Sequence, residues 1–186
     1  MLKAKWIFPI SGPAIHGGWI RIRGDTILEF GKGSASSAAE DMGEVALLPG
    51  LINAHTHLEF SDCRQPIGKP GVALHEWIAM VVAARGRASM AEKRLAVDRG
   101  LVESRDGGVR LIGEIASPPF VTADRRSQPP EVVHFFEVLG LSTQRKQEIL
   151  TLVSDQTNAI SNSGLSPHAP YSTSLFHFFL FSAFFN

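Results

Sequence analysis

"PGLINAHTHLEFS", residues 49–61, sets two histidines, His55 and His57, one residue apart in an apolar run that begins after Pro49-Gly50. The length and bounding turn of that run suit one strand. Side chains alternate faces along an extended chain, so His55 and His57 point the same way, with Thr56 opposite. Two neutral imidazoles sharing a face at a strand end are half a site for a cation that nitrogen ligands suit, zinc or iron(II). The H-x-H pattern is short, and ordinary polar residues near a strand end also produce it. Its meaning therefore depends on what surrounds it.

From residue 50 the rhythm is strand, then helix, repeated. A loop with Pro66, Gly68 and Pro70-Gly71 leads into "VALHEWIAMVVAARGRASMAEKRLAVDRGLVES". There Leu74, Trp77, Ile78, Val81 and Val82 recur at helical spacing, with a second helical stretch to about Ser104. "VRLIGEIAS" (109–117) and "EVVHFFEVLGL" (131–141) read as further strands. "STQRKQEILTLVSDQTNAIS" reads as a helix with Ile149, Leu152, Val153 and Ile160 on its apolar face, and "GLSPHAPYS" (164–172) as a short fourth strand that Pro167 ends. Strands interleaved with helices of this length predict an α/β fold with a parallel sheet. If that sheet belongs to a closed barrel, the face shared by His55 and His57 is the lumen, at the end where such barrels keep their chemistry.

Residues 1–48 differ. "KAKWIF" and "GGWIRIRGDTILEFG" alternate and turn at Gly12-Pro13 and Gly24-Asp25, which predicts a small β module. The segment 31–44, rich in Gly, Ser and Ala, reads as a mobile surface loop. The last stretch departs again: six of the twelve phenylalanines fall within residues 176–186, a run far too short to span a membrane as a helix.

With 186 residues and 44% hydrophobic content the chain can bury a core. Its 18 basic and 18 acidic side chains balance without long blocks, which disfavours nucleic acid and anionic membrane surfaces as partners. One cysteine, Cys63, excludes an internal disulfide framework and agrees with a reducing, cytoplasmic setting. The start of the chain carries no signal-peptide pattern.

"PGLINAHTHLEF" resembles the first-strand signature of the amidohydrolase superfamily of metal-dependent hydrolases. "LIGEIAS", "FFEVLGLS" and "GLSPHAPYSTS" resemble successive strand ends of its chlorohydrolase and aminohydrolase branch, which includes cytosine deaminase-like and aminodeoxyfutalosine deaminase-like enzymes. The resemblance covers most of residues 1–175. It implies a partial (β/α)8 TIM-type barrel, about the first four βα units over 49–175, preceded by a small module at 1–48 that is part of a composite β-sandwich. It further implies one divalent metal, zinc or iron, held by His55 and His57, and a metal-activated water. The implied reaction is hydrolytic deamination or dechlorination of a heterocyclic small molecule, with His168 facing the substrate. Lys146, placed in a helix, does not match the carboxylated lysine of two-metal branches, so the implied site is mononuclear.

Glu114 and Glu137 lie in apolar strands and are expected either to line the lumen beside the metal or to end as solvated carboxylates. Glu59 shares the face of His57 if the strand persists. His16, His75 and His134 read as structural, and Trp77 as a core anchor of its helix. Cys63 reads as a small, half-buried side chain.

The family pattern continues with a fifth-strand histidine and glutamate, a sixth-strand histidine and an eighth-strand aspartate. After Asp155 this sequence holds no acidic residue, and after His168 its one histidine is His177, within the phenylalanine-rich tail 176–186. A full barrel takes about 250 residues. The expectation is a truncated product with a tail in an altered frame, open to self-association through unpaired barrel edges. Activity then requires a second polypeptide; the alternative is a non-catalytic remnant that binds a divalent metal weakly. A cupin-like β-sandwich also uses H-x-H, but the helical segments count against it.

Overall fold

In the computed structural model, which describes residues 1–34, 36–117, 130–138 and 143–167, the chain forms two units, Met1–Gly50 and Leu51–Asn186. The first is a sheet of β1 (Leu2–Ile7), β2 (Ile15–Arg23), β3 (Thr26–Lys32), β4 (Glu40–Asp41) and β5 (Ala46–Leu47). Its order is β3-β2-β1-β4, with β5 also paired to β1. Ala4 and Ile7 of β1 and Ile20 of β2 form one buried cluster against Leu2, Ile15 and Leu47. Gly24, at φ +57°, makes the two-residue turn between Arg23 and Thr26, a conformation that favours glycine. The segment 31–44 is not all loop. Glu40 and Asp41 pair in parallel with Leu2 and Lys3, and Lys3 Nζ lies 3.1 Å from Asp41 Oδ2, so strand pairing captures residues whose composition alone reads as irregular.

The second unit is built on a parallel sheet of β6 (Leu51–Thr56), β7 (Val109–Ala116), β8 (Glu131–Val138) and β9 (Ser163–Pro167), in sequence order. Two helices, α1 (Leu74–Arg87) and α2 (Met90–Asp106), connect β6 to β7, and α3 (Thr143–Ala159) precedes β9. Ser89 starts α2 with a capping box: its hydroxyl accepts from Glu92 N–H while the Glu92 carboxylate accepts from Ser89 N–H.

Two apolar clusters fix the helix-facing side of this sheet. Ile112 packs with Leu58, Val97 and Leu101 beneath α2. Ala116, Phe136 and Val138 pack with Val153 of α3, joined by Ile160 and Leu165. Leu152, expected on the apolar face of α3, is half exposed. Strand alternation therefore assigns Ile112, Glu114 and Ala116 to the helix side, and Ser117 and Glu137 to the opposite, inner side.

Close approach explains two glycines. A Cβ at Gly113 would lie 2.5 Å from the Ala54 carbonyl oxygen on β6, and one at Gly100 would meet Ser61 Oγ and Leu58. Trp77 does not anchor a core. It is 41% exposed, lies against Gly68 and donates from Nε1 to the Ile67 carbonyl at 2.9 Å. No side chain of α1 is buried among the described residues, so its tryptophan braces the preceding loop instead. The region of His168 and the tail 176–186 lie outside the described residues. No helix among the described residues is long and apolar enough to cross a membrane.

Candidate functional site

The C-terminal ends of the four parallel strands converge in register. Thr56 pairs with Glu114, Ala116 with Phe136, and Glu137 with Ser166. At this end β6 is irregular: Asn53 pairs with Ile112 but Thr56 with Glu114, so β6 spends one residue more than β7 over the same span. An extra residue of this kind bends a strand and re-aims its side chains. His55 sits in that bulge. His57, just past the strand end, keeps an extended backbone at φ −119°, ψ 90° and opens the 3-10 turn Leu58–Phe60.

The rings of His55 and His57 lie 5.5 Å apart, edge to face at 75°. A tetrahedral cation bound to two imidazole nitrogens at about 2.0–2.1 Å places ring centres about 5.3 Å apart, so the spacing suits a shared cation. His55 is exposed and His57 half-buried. Burial holds the His57 pKa below the ordinary histidine value. The Glu137 carboxylate opposes that shift, while Arg85 and His55 add to it. A neutral ring is the form that offers a lone pair.

Arg85, in the last turn of α1, joins His57 to two carboxylates. Its Nη2 lies 3.3 Å from His57 Nδ1, its Nε 3.0 Å from Glu59 Oε1 and its Nη1 3.5 Å from Glu137 Oε2. The guanidinium carbon stands 5.0 Å above the centre of the Phe60 ring. The Glu59 contact is an ion pair rather than a directed hydrogen bond, and Lys93 Nζ lies 3.7 Å from the other Glu59 oxygen. Glu137, 1% exposed, also accepts from Ser117 Oγ at 2.6 Å. Two cations thus face two carboxylates, and the buried charges are compensated.

Glu114 has a different task. Both of its oxygens accept from Leu58 N–H, at 3.2 and 3.0 Å, and it is 2% exposed on the helix side of β7. Burial pushes its carboxyl up to about 8, the Leu58 hydrogen bond works against that, and Glu59 adds to it. Of the two strand glutamates, Glu137 therefore lies beside His57 and Glu114 fastens the turn behind it; neither is a solvated strand end.

Glu59 reaches the network although the strand does not persist to it, because the 3-10 turn swings it toward Arg85 and Lys93. His134 is buried with its ring stacked near Phe136 at 6.2 Å, and His16 packs edge-on against Trp6. Cys63 is exposed. Arg85 and Lys93 were not legible as site residues. The sequence offers no signal that singles out Arg85, since the same last turn of α1 also carries Arg87. Among the described residues no three of His, Cys, Asp and Glu converge to hold a metal ion.

Comparison with solved structures finds folds like this one. Over 99% of the chain the fold matches zinc-complexed atrazine chlorohydrolase from Arthrobacter aurescens, with TM-score 0.70 and 16% identity, covering 50% of that protein. Over 93% it matches Helicobacter pylori aminofutalosine deaminase in complex with methylthio-coformycin, with TM-score 0.66 and 21% identity, covering 45% of that protein. These likenesses bear out, at the level of fold, the resemblance to the amidohydrolase superfamily and a mixed α/β, partial barrel-like architecture.

In sequence, the chain is 40% identical over 63 residues to the 5-methylthioadenosine/S-adenosylhomocysteine deaminase of Moorella thermoacetica, 31% of this chain and 15% of the relative. No protein-family profile matches it. The chain spans about half the length of the solved structures it matches.

Proposed function

We propose that this chain carries the first-strand half of a mononuclear metal centre, in a protein that hydrolyses a C–N or C–Cl bond of a heterocyclic small molecule. The observation that carries the reading is the spacing of the His55 and His57 rings at the C-terminal end of a parallel strand. Both donors are of the type zinc or iron(II) takes, and their separation fits one cation. A bound divalent metal supplies Lewis acidity that makes water a nucleophile near neutral pH. The chain's own residues orient the site: Glu137 and Ser117 brace its inner wall, and Glu114 fixes the turn that follows His57.

In this reading residues 1–48 form a β module, 49–175 the first half of a barrel, and 176–186 an appended tail. His168 contacts the substrate, and the setting is cytoplasmic.

A second reading is a non-catalytic remnant that binds a divalent metal weakly. It is favoured by the two-histidine donor set and by Arg85, whose positive charge already stands against His57.

Two measurements on the full chain separate these readings. Ammonia or chloride release from aminated or chlorinated purines, pyrimidines and triazines, above a metal-free control, supports the enzyme. Metal uptake that His55→Ala/His57→Ala abolishes, with no release from any of them, supports the binder.

A further inference from the structure

Resting on the reading of His57 as a metal ligand, we infer that Arg85 and the metal exclude one another there, so that Arg85 is a placeholder cation that must leave Nδ1 before His57 can coordinate.

The argument is one of donors and lone pairs. A guanidinium has five N–H donors and no acceptor. Its 3.3 Å contact with His57 Nδ1 therefore requires a lone pair on that nitrogen. The neutral ring has a single free lone pair, so its hydrogen sits on Nε2. A metal taken at Nδ1 displaces Arg85 outright. A metal taken at Nε2 needs the hydrogen on Nδ1, where it would face the N–H of Arg85, donor against donor. Neither nitrogen can bind metal while the contact stands.

The surroundings make this release inexpensive. Arg85 keeps Glu59 at 3.0 Å and Glu137 at 3.5 Å as partners, and the Phe60 face beneath it. It gives up one contact of several. The negative charge of Glu137 and Glu59 also acts on the His57 ring, favouring a hydrogen on it once the guanidinium has moved. Arg85 is thus a positioning residue that exchanges partners when a cation arrives.

The test uses the full chain, zinc alone as the probe, and nitrogen-15 spectra of the histidine rings. In the metal-free protein His57 is expected as the Nε2–H tautomer, losing that signature as zinc is added. Arg85→Met is expected to tighten zinc binding by about tenfold, the scale of one charge-assisted hydrogen bond. If Arg85→Met unfolds, the His57 tautomer of the wild-type protein before and after zinc decides. An Nδ1–H tautomer in the metal-free protein, or zinc affinity unchanged or weaker in the folded variant, overturns the inference. Zinc taken up by neither wild type nor variant, with the Nε2–H tautomer present, overturns the metal reading itself and with it the exchange.

Discussion

The backbone N–H of Leu58 donates to both carboxylate oxygens of Glu114, 56 residues further along the chain. That fork ties the turn carrying His57 to the centre of β7, and it sets the rigidity of the site from the helix side of the sheet.

The pH dependence of stability follows from this carboxyl. Its pKa is about 8 in the folded protein against 4.5 as the reference value, with burial the main cause. Between those values the unfolded chain releases the proton and the folded chain keeps it, so stability falls as pH rises through that window and the loss is complete above about 8. Urea unfolding at several pH values should show this decline. Glu114→Gln, which retains an acceptor for Leu58, should flatten it; a variant as pH-dependent as wild type would exclude Glu114 as its source.

Gly113 sets the distance between β6 and β7. Adding a methyl group 2.5 Å from the Ala54 carbonyl forces two backbones apart. Gly113→Ala should cost about 1–3 kcal/mol in denaturant unfolding and weaken zinc binding by disturbing the bulge at His55. Full stability in this variant would contradict the packing described.

Phe136, fully buried between Ala116, Val138 and Val153, holds α3 to the sheet. Phe136→Ala should lose about 3–5 kcal/mol, measured by denaturant midpoint at constant slope. A loss below about 1 kcal/mol would mean the cluster is not a core of this unit.

Different physical rules made different parts of this molecule legible. The nearness of His55 and His57 could be read because residues two apart stay close in an extended segment, although the bulge at His55 and the end of β6 before His57 interrupt the strict alternation expected. The parallel sheet could be read because helical and strand periods alternate along the chain. Arg85 could not, since α1 carries both Arg85 and Arg87 in its last turn and its apolar residues do not define one buried face. Which arginine turns to the site is decided by tertiary placement. The bulge in β6 and the turn at Leu58–Phe60 are likewise set by partners far along the chain, Ile112 and Glu114, and no local pattern announces them.

Zinc stoichiometry of the chain, before and after His55→Ala/His57→Ala, tests the central claim most directly. The account predicts up to one zinc per wild-type chain and none in the double variant, with both proteins equally folded by circular dichroism. Equal zinc content in the two proteins, or none in wild type at saturating metal, would contradict it.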